Sequence, residues 1–340
     1  MNARITMADI GRLAGVSTST VSRALRGNPA IPASTRERIL QIAAEQHYVI
    51  DTRAQNFRLQ RSQTIATVFP YVGPSRRMIS DPFYMEMIGA ITDALDQHGY
   101  DLIVSRVADD HDNWSLNYIQ NKRVDGLLVI DRALDDHNLA QLADLDAHVV
   151  VWGSEIPGQR YVTVGGDSER GGMLAAQHLT GLGRRRIGFI GGSPHMVETS
   201  ERLRGYRQGL ALAGLPYDAD LVSFTDFSPQ AGAQAIDQLL TRAPDLDGVF
   251  LCSDVMAMAA IQVLAARDRR VPDDLSIVGY DDIQLAAHAS PPLTTIRQQI
   301  HTGGQLMVDK LLRLIDGGRE ASHTLSVELV VRGSCGARRA

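Results

Sequence analysis

The chain has 340 residues, 44% hydrophobic and 21% charged, with a formal net charge of −5 and two cysteines. That length exceeds one ordinary domain, and the apolar fraction supplies a core, which excludes a disordered or low-complexity protein. Two cysteines make no disulfide framework, and no run approaches the roughly 18 apolar residues of a membrane span. Residues 1–62 hold nine Arg against four acidic residues, whereas the other 278 hold 25 basic against 35 acidic. A basic head on an acidic body is the pattern of a nucleic-acid module joined to something else. With no apolar run of a signal peptide at the N-terminus, a cytoplasmic location is expected.

Residues 5–26, ITMADIGRLAGVSTSTVSRALR, carry apolar side chains at Ile5, Ile10, Leu13, Val16, Val21 and Leu25, with a break at Gly15. Thr6 can cap a first helix over about 7–14, its hydroxyl accepting from a free first-turn amide. Gly15 permits the positive φ of a sharp exit, and Ser17 can cap a second helix over about 18–26. Val21 and Leu25, four apart, share that helix's buried face. Its other faces present hydroxyls and two arginines, which suits a B-DNA major groove where Arg grips guanine O6 and N7. A plain helical hairpin with a solvated face would show the same short pattern. The candidate DNA-binding residues here are Thr6, Ser17, Thr18, Ser19, Thr20, Ser22, Arg23 and Arg26. Arg23 with Thr18 and Ser19 is expected to read bases, and Arg4 and Arg36 to touch phosphates.

AGVSTSTVSRAL resembles the start of lactose/galactose-repressor (LacI/GalR) family proteins, roughly D-[IV]-A-x-x-A-G-V-S-x-x-T-V-S-R-x-[LV]. Asp9, Ile10, Ala14, Gly15, Val16, Ser17, Thr20, Val21, Ser22, Arg23 and Leu25 fill that pattern, and Gly11 departs from it where Ala is usual. Ile31-Pro32-Ala33 opens a third helix with Ile39, Ile42 and Ala43 as its buried stripe, and Tyr48 ends it against the same core. Where the family carries Pro-Asn, this chain has Ile50-Asp51. RAQNFRLQRSQ resembles the family's hinge, which implies a short helix that orders on the operator. Ala54 and Phe57 would then contact DNA, Phe57 replacing the usual Leu as a minor-groove wedge. Packing of Phe57 onto the body is the alternative.

In the body, strand-like runs at 65–69, 102–104, 127–130, 149–152, 187–190, 248–251 and 277–279 alternate with helical periods at 84–98, 168–182, 200–213, 229–241 and 255–267. Buried strands separated by helices predict parallel sheets covered on both faces. The pattern restarts near Tyr161. The expected fold class is a small all-α helix-turn-helix head plus an α/β body of two doubly wound parallel-sheet lobes, with a ligand between their strand ends. DPFY, RVDGLLVI, HLTGLGRRRIGFIGG, RLRGYRQGL, SDVMAMAAI, VPDDLSIVGYDDI and PPLTTIRQ also resemble the family's sugar-binding body, related in fold to periplasmic binding proteins. GRRRI stands where Gly-His-[RK]-x-I is commoner. The expected domains are 1–50 (head), 51–63 (hinge) and 64–340, with lobes at about 64–160 plus 294–322 and 161–293 plus 323–334.

No GxSxG, P-loop, HExxH or paired CxxC occurs, and the ten His show no metal-ligand spacing. No enzyme activity, cofactor or metal is expected. The glycines within 165–172 and 188–192 are expected to serve tight strand-to-helix turns. A sugar site needs bidentate partners for adjacent hydroxyls and an aromatic face. By resemblance the effector arginine falls on Arg202, the acid of the G-[YF]-D-D loop on Asp281, and the polar pair on Ser253 and Asp254. Phe227 takes the aromatic position and Gln298 follows PPLTTIR. Tyr71, Phe83, Tyr84, Ser105, Arg106 and Ser154 complete the effector candidates from the first lobe. Asp254 could instead cap its helix, and Arg202 could pair with Glu198 on its own helix.

The resemblance implies a homodimeric regulator, usually a repressor, on a pseudo-palindromic operator, switched by a small sugar or glycoside. The chain ends seven residues after Gly333, too short for a tetramer's heptad tail. The dimer faces are expected from residues 82–98 and the second lobe. Alternatives are a nucleoside or purine effector, or a sugar receptor without a DNA role.

Overall fold

The structure, a computed structural model, describes residues 5–25, 27–48, 61–71, 77–107, 114–133 and 137–337. The chain divides into two compact units, residues 1–60 and 61–340.

The first unit contains α1 (Met7–Ala14), α2 (Thr18–Leu25) and α3 (Ala33–Glu45). Thr6 and Asp9 form a capping box: the Thr6 amide donates to Asp9 Oδ2 at 2.9 Å and the Asp9 amide donates back to Thr6 Oγ1 at 3.3 Å. Such caps stabilise by about 0.5–2 kcal/mol. Gly15 leaves α1 at φ 63°. Ile10, Ala14, Val21, Ala24, Ile31 and Ile39 form the core, with Tyr48 packed against it. At Gly11 a Cβ would stand 2.8 Å from the Val16 carbonyl oxygen. The glycine therefore permits a close approach that compensates for its weak helix propensity.

The second unit begins with β1 (Thr64–Pro70), α4 (Pro82–Asp96), β2 (Asp101–Val107), α5 (Trp114–Ile119), β3 (Gly126–Val129), α6 (His137–Asp144), β4 (Val149–Trp152) and β5 (Val162–Gly166). Next come α7 (Ser168–Gly181), β6 (Ile187–Gly191), α8 (Val197–Leu212), β7 (Val222–Phe224), α9 (Pro229–Arg242), β8 (Gly248–Leu251), α10 (Asp254–Ala266), β9 (Ser276–Asp281) and β10 (Thr295–Arg297). The chain then returns through α11 (Ile300–Ile315), β11 (His323–Leu325) and β12 (Glu328–Val330). Two six-stranded sheets result, ordered β11-β5-β4-β3-β1-β2 and β12-β10-β9-β8-β6-β7. Among the described residues the strand pairings within these sheets are parallel except β10 with β12, and an isolated antiparallel bridge joins Ala133 to Met196. The central strands β3, β4, β6, β8 and β9 are buried along their whole length, as sheets covered on both faces require.

The lobe boundaries differ from those expected. β5 pairs with β4 in the first sheet, β10 pairs with β9 in the second, and β11 returns to the first beside β5. The chain therefore crosses between the lobes at 166–168, 297–300 and 325–328. The restart near Tyr161 is one more strand of the first sheet. A five-residue strand carries no mark of the sheet it joins, because that choice is made by pairing across the fold. The last three residues of the expected hinge also belong to the body. The Ser62 and Gln63 amides donate to the Asp125 carboxylate at 2.5 and 2.9 Å, and Arg61 pairs with Asp316 at 2.7 Å. Residues 51–60, the rest of that hinge, lie outside the described residues, as do 49 and 50 of the expected head. No described helix is long and apolar enough to cross a membrane.

Candidate DNA-reading helix and interlobe cleft

On α2, Val21 and Ala24 are buried and Leu25 is partly covered, so Thr18, Ser19 and Arg23 stand exposed on the opposite side. Ser17 Oγ accepts from the Thr20 amide at 3.2 Å and lies 2.9 Å from both Ser19 Oγ and Thr20 Oγ1. Ser17 thus caps the helix and steadies two hydroxyls beside it. Thr20, Ser22 and Arg36 are partly buried. The Thr6 hydroxyl is committed to the cap, donating to Asp9 Oδ2 at 2.6 Å. Arg4, Arg26, Ala54 and Phe57 lie outside the described residues.

In the body, strand ends from both lobes converge. Four non-glycine residues at these strand ends hold positive φ: Asp131 after β3 (φ 69°), Phe227 after β7 (φ 64°), and Asp281 and Asp282 at the end of β9 (φ 118° and 58°). Each such residue costs on the order of 1–3 kcal/mol and persists only where its surroundings over-determine it. Arg77, absent from the expected site, sits at the centre of this region. Its guanidinium lies 5.1, 4.6 and 5.0 Å from the ring centroids of Phe83, Tyr84 and Phe227. Two hydrogen bonds of 2.9 and 2.8 Å tie it to the Asp81 carboxylate. Phe227 belongs to the second lobe, so this cation–π group joins the two lobes. The Tyr84 hydroxyl donates to Asp131, and Arg106 stacks on Tyr71 at 4.2 Å while donating to the Arg77 carbonyl.

Across the cleft, Arg202 lies over the Tyr280 ring at 3.6 Å and donates to the Cys252 carbonyl at 2.9 Å. This geometry replaces the same-helix pair with Glu198. Gln298 donates to Asp281 Oδ1 at 2.6 Å. Burial pushes the Asp281 carboxyl up to about 7 against the opposing pull of Arg202 and Arg77. At the N-terminus of α8, burial likewise pushes Glu198 up to about 7, with Arg132 opposing it. Arg132 follows β3, is wholly buried, and donates to Gln159 Oε1 at 3.1 Å and to Tyr161 Oη at 3.0 Å. It also donates to the carbonyl of Ser154, whose hydroxyl donates to Glu201 at 2.5 Å. Among the described residues no group of acidic, His or Cys side chains could hold a metal ion.

The cleft thus gathers Phe83, Tyr84, Ser154, Arg202, Phe227, Asp281 and Gln298 from the expected set. Tyr71 and Arg106 join through Arg77. Asp254 does not join. It is fully buried and its carboxylate accepts from the Ile283 amide at 3.0 Å and from the Thr295 hydroxyl at 2.5 Å, which makes it a tie between the loop after β9 and β10. Ser253 is also fully buried, and Ser105 is half-buried on the edge strand β2 and enters none of these contacts. Arg77, Asp131, Arg132 and Glu198 were missed by sequence reasoning. The strand-end rule that selects Ser105 and Ser154 would have selected Asp131 and Arg132 if applied after β3. Glu198 sits one helical turn before Arg202. Nothing in the local sequence singles out Arg77.

The glycines expected in turns do different work. A Cβ at Gly165 would fall 2.6 Å from the Gly153 backbone, at Gly171 2.7 Å from the Tyr280 ring, and at Gly172 2.1 Å from the Arg202 carbonyl oxygen. They permit close packing around the cleft.

Residues 6–51 match the family described as bacterial regulatory proteins, lacI family, and residues 176–335 match the periplasmic binding protein-like domain. The HTH-type transcriptional regulator CelR of Thermobifida fusca is 36% identical over 338 residues, covering 97% of this chain and 98% of that protein. A solved transcriptional regulator CelR–cellobiose complex superposes with a TM-score of 0.74 at 34% identity, covering 97% of this chain and 100% of that one. The lac repressor dimer bound to operator and the anti-inducer ONPF gives a TM-score of 0.86 at 26% identity, with 98% and 99% coverage.

Proposed function

Since the chain belongs to the lacI family of bacterial regulatory proteins and is a DNA-binding transcriptional regulator, we propose that it represses carbohydrate-utilisation genes under control of a small saccharide held between its lobes. The observation that carries this reading is that Asp281, bonded by Gln298, feels the charges of both Arg202 and Arg77, and that Arg77 is ringed by Phe83, Tyr84 and Phe227. A guanidinium fork and a carboxylate serve adjacent hydroxyls, and aromatic rings serve the apolar face of a sugar. The likeness to a protein solved with cellobiose makes cellobiose the first effector to test. In this reading the cleft binds and does not catalyse, and the protein works in the cytoplasm where its operator lies.

The regulator acts as a dimer on a pseudo-palindromic operator, α2 entering the major groove of each half-site. Exposed Met85 on α4 and Leu285 in the second lobe flank a hydrogen bond from the Gln284 amide to Glu86 at 2.9 Å, and this apolar patch spanning both lobes fits the dimer face. A saccharide that binds one lobe arrangement about a hundredfold better shifts operator affinity by a few kcal/mol. Gel-shift titration on the neighbouring promoter, with cellobiose, other disaccharides and nucleosides added in turn, tests the reading. A saccharide should change the fraction of DNA bound. A response to nucleosides alone would replace the saccharide with that class, and no DNA binding under any condition would refute the reading altogether.

A further inference from the structure

Arg77 is 7% exposed, and its guanidinium carbon lies over three rings, 5.1, 4.6 and 5.0 Å from the centroids of Phe83, Tyr84 and Phe227. Protein packs these rings elsewhere as well. Phe69 meets Tyr84 edge-on with 4.8 Å between centroids, and Trp152 lies 6.3 Å from Phe83. A Cβ on Gly192 would fall 1.8 Å from the Phe227 ring. Phe83, Tyr84 and Phe227 are accordingly only 4, 0 and 3% exposed. A sugar stacks on an aromatic ring through an open face, and with Arg77 in place these three rings offer none.

The arm belongs to the first lobe. Asp81 holds its guanidinium by the two-bond fork and also accepts from the Phe83 amide at 3.0 Å, which ties the fork to the start of α4. Arg106 donates to the Arg77 carbonyl and so fixes the Arg77 backbone to β2. Phe227 is the second-lobe member, and its backbone is fixed too. Its amide donates to Thr225 Oγ1 at 3.2 Å, and that hydroxyl donates to the Gly191 carbonyl at 2.8 Å. Its left-handed φ of 64° is of the kind that clusters at ligand clamps. Only the Arg77 side chain spans this part of the seam, so rotation about its own bonds withdraws it without moving either backbone.

We propose that Arg77 is an internal competitor for the aromatic platform of the cleft, its guanidinium covering the faces of Phe83, Tyr84 and Phe227 that a saccharide takes when it binds, a role that rests on the saccharide reading above. A guanidinium suits the part. It is flat, weakly hydrated and rimmed with hydrogen-bond donors, as a pyranose is rimmed with hydroxyls. The observed affinity is then the intrinsic affinity reduced by the fraction of molecules whose platform is open. Arg77 thereby sets the saccharide concentration at which the regulator switches, without itself touching the sugar.

The test is calorimetric titration of the full chain with cellobiose, maltose, lactose and glucose, comparing wild type with the double variant Arg77→Ala/Asp81→Asn. Asparagine can still cap α4, so no buried carboxylate is left bare, and thermal melts confirm folding. Arg77 holds the Asp281 carboxyl down, so titration at about pH 9 keeps that acceptor charged in both proteins. Kd for the preferred saccharide should fall about tenfold in the double variant, which corresponds to a platform open in roughly one wild-type molecule in ten. The freed platform should also accept a small guanidinium, so methylguanidine at about 10 mM should raise Kd in the double variant and leave wild type unchanged. Arg77→Lys keeps the charge beside Asp81 but lacks the flat fork; it should lower Kd by a smaller factor, and it decides the matter if the double variant does not fold. A Kd that is unchanged or raised in the folded variants, or a double variant indifferent to methylguanidine, would overturn this inference alone, since wild type still binds its saccharide. Wild type that binds no saccharide would overturn the saccharide reading and the inference with it.

Discussion

Replacing Gly172 by alanine should loosen the second lobe and blunt the effector response together. Helices α7 and α8 pack face to face, and a Cβ on Gly172 would stand 2.1 Å from the Arg202 carbonyl oxygen and 3.0 Å from its Cα. The obstacle is backbone, which cannot rotate away as a side-chain tip can, so α8 must shift by about 1 Å to regain van der Waals contact. Overpacking of this kind costs about 1–3 kcal/mol. For a body of this size each kcal/mol lowers Tm by about 2–4 °C. The displaced helix carries Arg202, which lies 3.6 Å over Tyr280 and 2.9 Å from the Cys252 carbonyl, and hydrogen bonds of that length do not survive such a shift. Effector affinity should therefore fall at least tenfold. Gly181 on the same helix is the control, because a Cβ there meets nothing within 4 Å and alanine is the better helix former by about 1 kcal/mol. Thermal melts and effector titrations on the two variants decide the matter. If Gly172→Ala matches Gly181→Ala in both measurements, the packing argument is refuted.

Arg23→Ala should cost about 1–3 kcal/mol per half-site and relax base preference, measured by binding to a randomised operator library; an unchanged profile would remove Arg23 from base reading. Arg36→Ala should instead weaken all sequences alike and flatten the salt dependence. Asp254→Ala should destabilise by roughly 1–3 kcal/mol, because it strands the Ile283 amide and the Thr295 hydroxyl; a urea midpoint equal to wild type would count against the tie. Glu198 and Asp281 stand at about 7 in the folded protein, above ordinary values of 4.5 and 3.8. The effector-free fold therefore binds more protons than the unfolded chain between those limits. Their contribution to stability is full below about pH 4 and is lost as pH rises through 7. Considered alone, these two groups should make Tm fall from about pH 4 to about pH 7 and level off above it, and Glu198→Gln should flatten that slope.

The head could be read almost completely from sequence. Its helices are short, and their caps and buried stripes come from neighbours a few residues apart: Thr6 at the cap, Gly15 at the turn and Val21 on the buried face, where the structure buries Ala24 more fully than the expected Leu25. The strands and helices of the body were equally visible, because sheets buried on both faces impose continuous apolar runs. Sheet membership was not visible. β5, β10 and β11 are short, and their partners lie far away along the chain, as Val150 opposite Val162 and Leu325 opposite Gly166 illustrate. The cleft divided along the same line. Arg202, Asp281, Phe227 and Gln298 were placed by motif resemblance, whereas Arg77 and Glu198 became visible only when the lobes came together. Arg77 matters because Phe83, Tyr84 and Phe227 surround it. Glu198 matters because Arg132 is held by Gln159, Tyr161 and Ser154. Those partners come from segments that only the tertiary fold makes neighbours, and the energy of a buried charge depends on what surrounds it in space.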